Sequence, residues 1–220
     1  MFWKYLIQIL ILISAYLIGS IPWGFLFGKI KGIDIRQYGS KNIGATNTGR
    51  VLGTKYAIFT FFLDALKGLI PVGIFTSGLV SMDYCFFSPI LYGLAASLGH
   101  TFPIYLGFKG GKSVATGGGI ILAYSPILFL ALIGVFFIVT YITRYVSMGS
   151  LSAAVTGLIG TFIVGAVKDG FNYPGNIYNW TFPVGAILIV IIIFIRHKNN
   201  INNVIHKNES KVKWRKSSND

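Results

Sequence analysis

The residues able to do chemistry are gathered in four short segments far apart in the chain. The first is Tyr38-Gly39-Ser40-Lys41-Asn42-Ile43-Gly44-Ala45-Thr46-Asn47-Thr48-Gly49-Arg50, which packs hydroxyls, amides, glycines and two cations together. Such a stretch can turn N–H groups and hydroxyls toward an anion. It is also the composition of a solvated loop of turn formers. The second is Gly99-His100-Thr101-Phe102-Pro103, followed by Gly107-Phe108-Lys109-Gly110-Gly111-Lys112-Ser113-Val114-Ala115-Thr116. It sets Gly-Gly-Lys just ahead of an apolar run. A helix beginning there offers free N–H groups and a positive dipole end to phosphate, and Lys112 adds a point charge. This is not a nucleotide P-loop, because Leu106 stands where that motif needs its first glycine. Lys109 and Lys112 also read as interfacial anchors.

The third segment is Arg144-Tyr145-Val146-Ser147-Met148-Gly149-Ser150. Here the residues fit an anchoring arginine and two serines that cap the following helix. The fourth is Arg196-His197-Lys198-Asn199-Asn200-Ile201, with Glu209 downstream. Its cations are ordinary anchors after a last span, and His197 is its unusual element. One ionisable pair, Asp64 and Lys67, falls inside an apolar run. At i and i+3 the two share a helix face and can pair. Intramembrane charges are expensive, so a partner is expected, as structural support or as part of a site.

These segments must be positioned by elements suited to lipid. Charged residues are 11% of the chain and mean hydropathy is +0.68, where soluble domains carry about 25% charged residues. The apolar runs read as seven helical spans: about Phe2–Phe27, Tyr56–Leu79, Tyr84–Leu106, a run from Val114 to Ile142 split at Tyr124-Ser125-Pro126, Leu151–Val167 and Phe182–Ile195. Proline disfavours helix at the residue before it, which places the split. The first run continues past Ile18 with no A-x-A-like site and reads as a retained span rather than a cleaved signal. The expected fold is therefore an all-α polytopic membrane bundle, a single domain over 1–220, with a basic tail from about Arg196. In this topology 16 of the 19 Lys and Arg fall on one side, together with all four polar segments. The positive-inside rule makes that side cytoplasmic and puts the N-terminus outside. The net charge of +13 therefore sits beside a membrane, and no nucleic-acid-binding motif accompanies it. Cys85 is the single thiol, no Cys/His cluster has zinc spacing, and no cofactor or metal is expected.

Taken together, the motifs resemble the bacterial acyl-phosphate:glycerol-3-phosphate acyltransferase family. The resemblance runs from Gly19-Ser20-Ile21-Pro22 to about Glu209. It rests on Gly39-Ser40-x-Asn42-x-Gly44-Ala45-Thr46-Asn47 with Arg50, on Asp64-x-x-Lys67-Gly68 and on Gly99-His100-x-Phe102-Pro103. It continues through Phe108-Lys109-Gly110-Gly111-Lys112-x-Val114-Ala115-Thr116, Arg144-x-x-Ser147-x-x-Ser150 and Arg196-His197-x-x-Asn200-Ile201. The tail departs from the pattern, with Asn203 where an arginine is usual and Lys207 where a glycine is usual. The resemblance implies an inner-membrane enzyme that joins acyl phosphate to glycerol 3-phosphate at the cytoplasmic face. It implies a catalytic set of Ser40, Asn42, Arg50, Lys112, Ser150 and His197. Gly44, Thr46, Asn47, His100, Lys109, Gly110, Gly111, Thr116, Arg144, Ser147, Asn200 and Glu209 are implied to bind substrate.

The residues suit that chemistry. Both substrates carry phosphate, which Arg50 and Lys112 would hold. The proton of the attacking hydroxyl could pass to His197 or to the phosphate of the donor, and the shortage of carboxylate–His pairs favours the donor. The other membrane-associated acyltransferase class, with His-x-x-x-x-Asp, is excluded, because Tyr105, Asn202 and Lys211 follow the three histidines at that spacing. An organic-phosphate transporter needs cations, glycines and spans too, but its site would lie near the midplane between repeats. A non-catalytic assembly factor would explain the spans but not the Ser-x-Asn and Gly-Gly-Lys segments.

Overall fold

The computed structural model describes residues 2–80, 87–170 and 176–212. Asp83, Cys85 and the tail beyond Val212 lie outside them. The described residues form ten α-helices and no strand. α1 (Phe2–Ser20) and α2 (Trp23–Ile30) are one apolar run bent by 42° at Ile21-Pro22. α3 (Ala45–Leu52) and α4 (Thr54–Thr76) are parted by Gly53, whose φ of +93° a side chain would resist. α5 (Pro89–Thr101) is followed by a 3-10 turn at Ile104–Leu106 and the Gly107–Ser113 segment, beyond which α6 (Val114–Tyr124) begins. The Ser125-Pro126 break falls where the sequence puts it. Ser125 Oγ accepts from Leu128 N–H at 3.2 Å, and Pro126 starts α7 (Pro126–Thr143), combining a cap with proline at the first helical position. α8 (Val146–Val167), α9 (Thr181–Arg196) and α10 (Lys198–Ile205) complete the chain.

Two of the expectations from sequence need correcting. The segment around Asn47 is half helix, since α3 starts at Ala45 once Gly44 has capped it. α8 starts at Val146, so Ser147 and Ser150 lie within its first turns instead of capping it. Beyond the last span the basic tail continues as helix, because α9 turns by 55° into α10.

α4, α7 and α8 are long and apolar enough to cross a membrane, and the bent pairs α1–α2 and α9–α10 raise that number to five. α5 and α6, with 13 and 11 residues, fall short of the roughly 20 that a lone span needs. The bundle is apolar outward: Ile127 and Ile142 are 82% and 73% exposed, with Leu130, Phe137, Ile159 and Ile163 also exposed. Inside, Val72, Ile90, Ile120, Tyr124, Phe182 and Ile189 share the core with buried Thr60, Thr116 and Thr161. Large apolar groups outside and small polar groups inside is the arrangement of helices packed in lipid.

α4 and α6 meet backbone to backbone. A β-carbon on Gly68 would collide with Thr116 O, and one on Gly119 with Ala65 O. Thr116 Oγ1 closes the crossing by donating to Asp64 O at 3.0 Å. Gly119→Val is expected to destabilise the protein by about 3 kcal/mol or more, since neither backbone can yield. A lowered melting temperature in detergent checks this, and a wild-type value would show that the helices can separate there.

Candidate active site

Asn47 organises the first segment. Buried at 1% exposure, its amide nitrogen reaches Asn42 O at 2.9 Å, Ile35 O at 3.0 Å and Tyr38 O at 3.2 Å, and its Oδ1 accepts from Ser40 N–H at 2.7 Å. Asn42 Oδ1 accepts from Gly44 N–H at 2.9 Å, an Asx turn that leads into α3. The N–H groups of Ser40 and Gly44 are therefore used inside the loop. What the loop offers outward is the Ser40 and Thr46 hydroxyls and, from the last turn of α3, the Arg50 guanidinium.

The glycine pair is used in the same way. Gly110 N–H donates to Thr101 O at 3.1 Å and Gly111 N–H to His100 O at 3.0 Å. A β-carbon on Gly110 would strike His100 O, and one on Gly111 the His100 ring. The glycines allow this close approach and leave Lys112 to meet a ligand. Lys112 Nζ donates to Asn200 Oδ1, and Asn200 Nδ2 donates to Glu209 Oε1 at 2.7 Å. Burial lowers the Lys112 pKa to about 8; Glu209 works against this, while Arg196 and Arg50 add to it. A phosphate dianion would relieve that deficit of negative charge.

From α8, Ser147 and Ser150 reach the same place. Ser150 Oγ donates to Val146 O at 2.9 Å, while the buried Ser147 Oγ has no hydrogen-bond partner among the described residues. His197, 2% exposed, sits where α9 bends into α10, with Nδ1 2.8 Å from Ile193 O. Burial, then the charge of Lys112, holds its pKa down to about 4, against the pull of the Ile193 carbonyl. The ring is neutral at physiological pH, and an Nδ1–H bonded to that carbonyl leaves Nε2 as the acceptor.

These groups line one cavity of about 140 Å³ that takes in Ser40, Asn42, Gly44, Thr46, Asn47, Arg50, His100, Lys112, Ser147, Ser150, His197, Asn200 and Glu209. Lys109, Gly110, Gly111, Thr116 and Arg144 do not line it. Lys109 and Arg144 are exposed, and the two glycines and Thr116 act through the contacts described above. Arg144 instead ends α7 at φ +63°, and its carbonyl accepts from Val212 N–H at 2.8 Å. The cavity lies between two other spaces. Outward, a polar basin shares Ser40, Arg50, Lys112, Asn200 and Glu209 with it and adds Arg196 and Lys198. Inward, Val114 is common to the cavity and to an apolar groove among α6, α7, α8 and α9, lined by Gly117, Leu132, Ala153, Gly157, Ala186 and Ile189.

The sequence matches the model of a protein family described as glycerol-3-phosphate acyltransferase over residues 9–207. The glycerol-3-phosphate acyltransferase of Bacillus subtilis is 41% identical, covering 93% of this chain and 97% of that protein. The enzyme of that name from Acholeplasma laidlawii is also 41% identical, over 96% and 95% of the two chains. The chain belongs to the glycerol-3-phosphate acyltransferase family. Its fold is that of PlsY, an integral membrane glycerol 3-phosphate acyltransferase. In the glycerol 3-phosphate form of that crystal structure the TM-score is 0.81, with 38% identity over 94% of this chain and 96% of that one. Against the lysophosphatidic acid form the TM-score is 0.79, with 37% identity.

Among the family motifs, Asp64 and Lys67 pair as their spacing indicates, and His100 joins them, which no spacing announces. Asp64 Oδ1 lies 2.7 Å from Lys67 Nζ and 3.5 Å from His100 Nδ1, with Lys67 and His100 3.4 Å apart and all three buried. A carboxylate–His pair therefore exists at the cavity wall, though Gly111 packs on the imidazole. Phe61 and Phe136 also line the cavity, and nothing in their spacing separates them from lipid-facing aromatics. Removing one member of a buried ion pair strands the other, at about 3–5 kcal/mol. Asp64→Leu and Lys67→Met are each expected to destabilise by that amount, and the double variant by clearly less. Denaturation in detergent checks it; additive losses would mean the two charges are solvated separately.

Proposed function

We propose that this protein transfers an acyl group from acyl phosphate to the hydroxyl of glycerol 3-phosphate, giving 1-acyl-glycerol 3-phosphate and inorganic phosphate, the first step of phospholipid synthesis. The observation that carries the reading is the line of three spaces, from polar basin through cationic cavity to apolar groove. A water-soluble phosphate ester enters by the basin. The acyl chain lies in the groove, so the donor carbonyl stands near Val114 and Ser150. Arg50, with its bidentate guanidinium, and Lys112, with Asn200, grip phosphate oxygens. Ser40, Asn42 and Ser147 supply donors for the oxyanion that develops on the carbonyl, and Ser150 joins them when its hydroxyl turns from Val146 O.

The glycerol oxygen bonds to the carbonyl carbon and the carbonyl–phosphate C–O bond breaks. The hydroxyl proton passes to an oxygen of the departing phosphate. A His197 held near pKa 4 is a weaker base than the departing phosphate, since even a phosphate monoester has a second pKa of about 6. His197 then serves as a hydrogen-bond acceptor that orients the hydroxyl. A transporter fits less well, since the polar lining is confined to one end and the stacked rings of Tyr124 and Phe182, 4.0 Å apart, fill the core beyond it.

The chain is read as one domain of seven spans in the bacterial inner membrane, N-terminus outside and active site on the cytoplasmic face. α5 and α6 count as short spans shielded by their neighbours. The convergence of the four basic segments on one cavity supports this orientation.

Purified protein given palmitoyl phosphate is expected to release phosphate only when glycerol 3-phosphate is present, with lysophosphatidate formed in step. Protein that binds glycerol 3-phosphate but releases nothing would point to transport. Arg50→Ala and Lys112→Ala are expected to lower kcat/KM by about 100-fold or more while still inserting, as expected when a charge-assisted grip is lost.

The pH profile carries a second test. Lys112 is charged below about pH 8 and loses its charge above it, so kcat/KM should fall on the alkaline side with an inflection near that value. His197 titrates near 4, so the profile from pH 5 to 8 should be the same shape in His197→Ala, at reduced rate. An inflection near 6.5 that vanishes in this variant would make His197 the base.

A further inference from the structure

All four backbone polar groups of the Gly110–Gly111 dipeptide are engaged. Its N–H groups go to Thr101 O and His100 O, as described above. Its two carbonyls both turn to one side chain: Arg196 Nη2 donates to Gly110 O at 2.8 Å, and Arg196 Nε donates to Gly111 O at 3.2 Å. Arg196 is the last residue of α9, is half-buried, and stands 5.9 Å from the centre of the Phe102 ring. It lines the outer basin and not the cavity itself. A trans peptide sets its N–H opposite its C=O. Drawing Gly111 O onto Arg196 therefore turns the Lys112 N–H away from Arg196. The turn is clamped between the end of α5 on one side and the end of α9 on the other, and its next residue is Lys112. A planar guanidinium can bridge two carbonyls, which the compact ammonium of lysine cannot do in the same geometry.

We infer that Arg196 is a positioning residue: its guanidinium holds the Gly110–Gly111 turn, and through it Lys112, where the phosphate of glycerol 3-phosphate binds. This rests on the proposed function for the identity of the phosphate. It assigns Arg196 a role distinct from that of Arg50, which meets the substrate directly. The sequence offers Arg196 only as an anchor at the end of a span.

The test uses the full-length protein in detergent, with Arg196→Lys and Arg196→Gln. The dissociation constant for glycerol 3-phosphate is measured by calorimetry, and KM for both substrates by phosphate release. Both variants are expected to weaken glycerol 3-phosphate binding by roughly 10-fold or more, with KM for palmitoyl phosphate changed less than about threefold, as befits losing two charge-assisted hydrogen bonds to one turn. Melting temperatures should stay near wild type. Gly111→Ala, which disturbs the turn from the His100 side, should raise the same constant, and combined with Arg196→Gln it should cost little beyond the worse single change.

Wild-type affinity in Arg196→Lys would overturn the inference, since charge alone would then suffice. So would strictly additive effects, or a loss confined to the folded fraction with both affinities intact. Wild-type protein that binds glycerol 3-phosphate without turnover would defeat the acyltransferase reading, while the comparison of dissociation constants would still decide on Arg196.

Discussion

Where α4 and α6 cross, the α-carbon of Gly119 lies against the carbonyl of Ala65, and that of Gly68 against the carbonyl of Thr116. No side chain stands between the two helices at these points, so their separation is set by backbone alone. The polar site depends on this contact. It fixes the start of α6 relative to α4, and with it the distance between Lys112, just before α6, and Asp64 and Lys67 on α4. Thr116 ties the same two helices through Asp64 O. The α5–α6 connection is then held at His100 and Thr101, so the glycine turn is located from two helices before any ligand arrives.

Electrostatics follow from that geometry. Asp64 is matched by Lys67 and His100 within the bundle and has little charge left to offer the cavity. Glu209 is the other carboxylate at the cavity wall, and it reaches Lys112 through Asn200. Arg50, Lys112, Arg196 and Lys198 therefore surround the basin and cavity with an excess of positive charge. That excess is costly in a partly buried place, as the depressed Lys112 pKa records. It is the cost a site accepts when its substrates bring the missing negative charge.

Much of this was legible in the chain. The Ser125-Pro126 break could be read because proline and a capping serine act locally. The gathering of polar segments at one end followed from span counting and charge, since alternate loops of a bundle must share a side. Local helices in polar sequence were harder. α3 is short and rich in threonine, asparagine and glycine, and α10 holds four asparagines, residues of poor helix propensity that tertiary contacts override. The pairing of Asp64 with His100, and of Arg196 with Gly110 and Gly111, joins residues more than thirty positions apart, so spacing carries no trace of it. Asn47 shows the converse: the family resemblance implies a substrate contact, and its amide is occupied in folding the loop.

The bond from Val212 N–H to Arg144 O, with Glu209 beside Asn200, has a consequence in time. A chain synthesised from its N-terminus makes the ten helices of the described residues before it makes Glu209 and Val212. The apolar bundle can thus be inserted and packed while the wall of the cavity is still missing its last side. Lys112 meets the carboxylate that partly balances it only after α10 has been made, so competence to handle phosphate is acquired after the fold that supports it.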